Sequence, residues 1–191
     1  MRQALLLAAG VLALGTPATG REAGLTLWRV DPLVKVLRTD VPPGSPAKSV
    51  AIEAARGEVE NGQIAFRSTV DAARLTASAT PLQASAQQTL AAPRVRFVGY
   101  VPIKKNTAPH LAETGPQVVV AKAPVDLPDP LLEDSFIPAK AGESGAIWLT
   151  VPVPADAPPG TYRGEVSSPR TVRKALCPLK LRCIPRPCRG R

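Results

Sequence analysis

The stretch Ala146–Val166, AIWLTVPVPADAPPGTYRGEV, decides the fold class. Its first part, Ala146–Val153, is an apolar run of the length of a buried strand, and Thr161–Ser167 reads as a second strand. Between them, Ala155–Thr161 (ADAPPGT) carries turn chemistry. Pro159 suits the second position of a type II turn and Gly160 the third, where φ is positive. The expectation is strand, tight turn, strand. Tyr162 follows the turn directly, and buried tyrosines find a hydrogen-bond partner, so its hydroxyl is expected to bond a backbone carbonyl and pin the turn. Trp148, between Ile147 and Leu149, reads as a core residue rather than a ligand platform.

The same alternation of short apolar runs and turn clusters extends outward from Leu25 to Ser168, with no sustained helical period. Further candidate strands are Lys48–Ala54, Gly62–Val70, Arg74–Thr80, Arg94–Val101 and Gln117–Ala121. In Arg94–Val101, Val95 and Phe97 alternate with Arg94 and Arg96, as a half-buried strand requires. Seven or more such strands indicate an all-β, antiparallel β-sandwich of Ig-like or jelly-roll-like type. The 22 prolines among 191 residues exclude long helices, because proline lacks an N–H and fixes φ. They stiffen the expected connecting segments Val41–Pro46, Ala84–Pro93, Ile103–Pro116 and Pro124–Pro138. With 45% hydrophobic and 20% charged residues the chain has a buried core, and its length excludes a large multidomain enzyme. Aromatic residues are only 4%, so aliphatic side chains fill that core and few rings remain for ligands.

The ends differ from the body. Arg2 and the apolar run Ala4–Leu14, followed by Gly15, Thr16, Pro17, Ala18, Thr19 and Gly20, read as a cleavable signal peptide over residues 1–20. The run is too short for a bilayer core of about 30 Å, which takes about 20 residues, so no membrane span is expected after cleavage. The formal charge is +9. Pro169–Arg191 holds six Arg, two Lys and no acid, and residues 21–168 are neutral with 15 basic and 15 acidic side chains. A basic arm for nucleic acid is therefore disfavoured. Cys177, Cys183 and Cys188 all lie in this stretch, at spacings that match no zinc or redox pattern. The expected organisation is a sandwich over 21–168, its last strand reaching as far as 182, and an irregular basic tail over 183–191 foreign to the fold.

Five segments in order resemble the N-terminal β-sandwich domain of glycoside hydrolase family 123 and its relatives. They are Val30–Asp40 (VDPLVKVLRTD), Ala54–Arg67 (AARGEVENGQIAFR), Val98–Pro102 (VGYVP), Leu127–Leu132 (LPDPLL) and Ala146–Val166 itself. Pro178–Arg182 (PLKLR) also resembles the last strand of that domain. The resemblance implies an accessory domain that precedes a TIM-barrel catalytic domain, and this chain is expected to lack the barrel. Family members that hydrolyse N-acetylhexosaminides are expected to carry an adjacent Asp-Glu pair on the barrel, for substrate-assisted catalysis. No position of this chain inherits that pair.

The residues themselves offer no catalytic constellation. Glu133 and Asp134 stand in reversed order in a proline-bounded segment and read as a solvated pair. Glu58 and Glu60 would share one face of an extended strand at about 7 Å, but like charges on one strand face are normally solvated. His110, the single histidine, reads as an exposed loop residue without metal or triad partners. Phosphate-loop, dinucleotide and zinc-protease motifs are absent. Trp28 and Tyr100 are the candidates for an exposed or interface face that contacts carbohydrate. The expected protein is an exported, non-catalytic accessory module without a cofactor or metal, whose partner is a TIM-barrel domain. The alternative is a free-standing carbohydrate-binding protein.

Overall fold

A computed structural model describes residues 24–47, 49–106, 121–168 and 175–185. Two main sheets pack face to face. The first runs in the order β1 (Leu25–Val30), β3 (Val59–Ser68), β11 (Ser144–Pro152), β8 (Arg94–Ile103) and β9 (Val125–Leu132). All its pairs are antiparallel. The second runs β2 (Val50–Ala55), β13 (Ala175–Ile184), β12 (Gly160–Ser168), β6 (Leu82–Gln83) and β7 (Thr89–Leu90), with β5 (Ser78–Ala79) also on β12. Its β2–β13 pair is parallel. A small antiparallel pair joins β4 (Ala72–Thr76) to β10 (Phe136–Ala139). Among the described residues there is no helix, and none long and apolar enough to cross a membrane. The fold is the all-β sandwich expected from the sequence.

Side-chain alternation builds the core between the sheets. Leu27, Ile64, Phe66, Phe97, Ile147 and Leu149 from the first sheet meet Val50, Ile52, Tyr162, Val166, Leu179 and Leu181 from the second. Phe66 and Phe97 cross edge to face, with centroids 6.5 Å apart. Gly145 faces Phe66 so closely that a Cβ there would stand 2.4 Å from its ring.

Several expectations shift. Arg74–Thr80 is not one strand: it breaks at Ala77 into β4 and β5, which join different sheets. Pro124–Pro138, expected to be a connecting loop, contains β9 and the start of β10. Its prolines are tolerated because β9 is the last strand of its sheet and pairs only with β8, so its outward N–H groups have no ladder to serve. Asp129 and Pro130 together oppose Gly99, a bulge where the register shifts between Val98 and Tyr100. A Cβ on Gly99 would come within 2.8 Å of Leu132 and 3.0 Å of Pro130.

The turn before β12 also differs. The backbone N–H of Ala157 donates to the Pro154 carbonyl at 3.1 Å, closing a turn four residues earlier than expected. Gly160 opens β12 without positive φ; Gly57 and Gly142 hold that conformation, at 79° and 77°. Pro158 and Pro159 have no N–H to donate, and the Pro158 carbonyl accepts from a side chain. The pin itself stands as expected: the fully buried Tyr162 hydroxyl donates to the Pro158 carbonyl at 2.8 Å. Pro178–Arg182 lies in β13, which continues to Ile184 and buries Cys183 opposite Gly160. Burial pushes the Cys183 thiol above its ordinary range, and nearby Arg56 partly offsets this. His110 and Cys188, and Gln117–Ala121 except Ala121, lie outside the described residues.

Candidate functional site

The first sheet has a second apolar cluster on its outer face. Trp28, Ala65 and Ala146 form one cross-strand row over β1, β3 and β11. Two alanines leave room above the sheet, and Trp28 and Val36 fill it together with Val98. Val36 belongs to no strand. It comes from the connection between β1 and β2, residues 31–47, which lies across this face as a strap.

The strap is held by side chains that rise from the sheet. The Gln63 amide, only 4% exposed, donates to the carbonyls of Asp31 at 3.1 Å and Val34 at 2.9 Å. The Tyr100 hydroxyl donates to the Val36 carbonyl at 2.8 Å. Arg67 Nη1 and Ser144 Oγ both donate to the Asp40 carbonyl at 2.7 Å. Backbone N–H groups of Ser144 and Arg29 bond the carbonyls of Arg38 at 2.9 Å and Ala47 at 2.8 Å. Each end closes on an aspartate: Asp31 Oδ1 accepts from the Leu33 N–H and Asp40 Oδ2 from the Leu37 N–H, both at 2.9 Å. An irregular segment crossing a sheet must satisfy its own backbone polar groups, and these side chains do so.

Trp28 and Tyr100 thus share one face, but neither offers the free ring expected of it. Trp28 is 5% exposed beneath the strap, because the alternation of β1 turns it onto the alanine row. One face of the Tyr100 ring is covered by the Arg38 guanidinium, 4.0 Å from the centroid. Arg38 in turn pairs with Asp126 at 3.5 Å and Glu143 at 3.3 Å. Burial pushes the Tyr100 hydroxyl up to about 12, with Arg38 opposing and Asp40, Glu143 and Asp126 reinforcing the rise.

Trp148 is the ring that the sequence reading placed in the core and that the structure leaves half-buried on this outer face, packed against the second cluster. Its position two residues from the buried Ala146 puts both on the same side of β11, and its Nε1 donates to Asn61 Oδ1 at 3.1 Å. A cleft of about 200 Å³ opens beside it, between the strap and β9. Lys35 of the strap and Asp129 of β9 line it and form an ion pair at 3.6 Å. A wider groove of about 660 Å³ lies on the outer face of the second sheet, where Arg163 stands opposite Lys180.

Of the candidate carboxylates, Glu58 and Glu133 have structural partners. Glu58 precedes β3, and its Oε2 accepts the Ala55 N–H at 2.8 Å, closing the β2–β3 turn in which Gly57 has positive φ. Glu133 is exposed and paired with Arg94 and, at 3.3 Å, Arg96. Among the described residues no three His, Cys, Asp or Glu side chains converge as a metal site.

Residues 35–168 match the family model of the glycoside hydrolase 123 N-terminal domain. The chain belongs to that family. The matched range contains most of the strap together with Gln63, Arg67, Tyr100 and Ser144, which hold it. This glycoside hydrolase 123 N-terminal domain is similar in fold to a family 123 glycoside hydrolase from Clostridium perfringens, studied for glycolipid glycan hydrolysis, with a TM-score of 0.67 and 11% identity. The match covers 85% of this chain and 28% of that one, so the chain spans under a third of that protein's length. The CooA pilin subunit of enterotoxigenic Escherichia coli matches with a TM-score of 0.37 and 10% identity, over 81% of this chain and 99% of the pilin. No curated protein matches the chain.

Proposed function

We propose that the chain is an exported, non-catalytic accessory module of a glycoside-hydrolase-like protein, and that its strap face packs against a TIM-barrel catalytic domain. The observation that carries this reading is the outward side of the strap. Leu33 is 91% exposed, and Val34 and Val41 are exposed with it. These three lie on a segment whose backbone is held by buried donors, so the apolar surface is presented on a rigid support. Apolar side chains held out to solvent on a fixed backbone favour a docking role for this face. Membership of the family supplies the partner class, and the leader Ala4–Leu14 supplies the export.

A barrel domain of the family, added in trans, is expected to bind the wild-type chain and to lose that binding with Leu33→Asp combined with Val41→Asp. Both side chains project into solvent, so the variant keeps its fold by circular dichroism. Binding that is unchanged in this variant overturns the strap as the docking face. The purified chain is expected to release no product from aryl N-acetylhexosaminides; turnover that scales with its concentration overturns the non-catalytic assignment.

A further inference from the structure

We propose that the cleft beside Trp148 is a binding subsite for one neutral pyranose ring. This inference requires no partner domain, although the cleft shares Val34 with the proposed docking face.

Gln63 supplies the first argument. Both of its amide hydrogens are spent on the strap carbonyls of Asp31 and Val34. Its carbonyl Oε1 accepts no hydrogen bond among the described residues, yet it is not sealed from solvent. This residue is nine-tenths buried and lines the cleft. An otherwise buried amide is therefore left with one acceptor open at the cleft, where water or a ligand hydroxyl can donate to it.

The walls supply the second argument. Trp148 stands beside Gln63 in the β11–β3 register, and Val34, Val98 and Pro128 add further apolar surface. Lys35 and Asp129 contribute one donor group and one acceptor group, with no net charge between them. A ligand suited to this lining has an apolar face and several hydroxyls that both donate and accept. A sugar ring has that chemistry: its C–H face lies on indole and proline, and its hydroxyls bridge Asp129, Lys35 and Gln63 Oε1. The volume, about 200 Å³, falls below the roughly 300–1,000 Å³ of pockets for drug-sized molecules. One ring fills it.

The test uses the full chain labelled with ¹⁵N and titrated with glucose, galactose and mannose, with glycerol as the control. The two tryptophans, Trp28 and Trp148, give two indole N–H signals, assigned with Trp148→Phe. At least one hexose is expected to move the Trp148 signal saturably in the millimolar range and to leave the Trp28 signal in place. Asp129→Ala and Lys35→Ala alter exposed side chains at the cleft. Each is expected to keep the melting transition and to weaken the response about tenfold, the effect of losing one hydrogen bond to a charged group. No saturable shift with any hexose overturns the proposal. So does a shift of equal strength with glycerol, or one that is unchanged in both variants.

Discussion

Replacing Gln63 by leucine is expected to release the strap while leaving the sheet beneath it intact. The change keeps the side chain's bulk and removes both hydrogen bonds, to Asp31 at 3.1 Å and Val34 at 2.9 Å. A buried acceptor left without its donor costs about 1–3 kcal/mol. Asp31 and Val34 lie close to solvent, and water recovers part of that cost, so the two losses together come to about 2 kcal/mol. With a urea slope of about 2 kcal/mol per molar, the midpoint falls by about 1 M if the strap unfolds with the rest. Hydrogen exchange separates local from global effects. The Ser144 N–H bonds the strap carbonyl of Arg38, and the Arg29 N–H bonds that of Ala47. Both are protected by the strap rather than by a neighbouring strand. In Gln63→Leu these two amides are expected to exchange roughly 30-fold faster, the factor that 2 kcal/mol represents. Amides of β11 beyond Ser144, such as Ile147, lose no more than the global change accounts for. Unchanged exchange at Ser144 and Arg29 refutes the role of Gln63 as the anchor of the strap.

Three further outcomes follow from the packing. Tyr162→Phe removes the hydroxyl bonded to the Pro158 carbonyl at 2.8 Å and is expected to cost about 1–2 kcal/mol in chemical denaturation; an unchanged midpoint removes the pin from the account. Gly145→Ala places a methyl 2.4 Å from Phe66 in the core, whereas nothing lies within 4 Å of a Cβ on Gly160. The first is expected to destabilise by about 1–3 kcal/mol and Gly160→Ala to stay close to wild type, as compared by urea midpoints. Alkali is expected to weaken the fold, because the Tyr100 hydroxyl ionises near 12 in the folded chain and near 10 when free. The folded state holds the proton longer, so its contribution is full below pH 10 and is lost between pH 10 and 12. Tyr100→Phe is expected to flatten the fall in urea midpoint over that window, and an equally steep fall contradicts it.

Much of the sandwich was legible because alternation and turn chemistry are local. Arg94–Val101 shows its two faces in sequence, and Pro178–Arg182 announces β13 within a basic stretch. What was not legible depends on partners remote in the chain. The prolines of β9 look like a loop until β9 is known to be an edge. The turn at Pro154–Ala157 precedes the Pro-Gly pair, whose Gly160 opens β12 instead. The strap is the part least legible in sequence. Val30–Asp40 stood out as a motif, but nothing local shows that Gln63, Arg67, Tyr100 and Ser144 would meet its carbonyls from three strands. The same gap exchanged the tryptophans. Leu25–Val30 alternates, but only the strap shows that the outward face of β1 is covered, so Trp28 is buried and Trp148 borders the open cleft.

The accessory role is tested most directly by the affinity of the chain for a barrel domain of the family added in trans. A saturable complex is expected, lost when the exposed Leu33 and Val41 are both replaced by aspartate. No complex with the wild-type chain, or one of equal affinity in the double variant, would contradict the docking of the strap face.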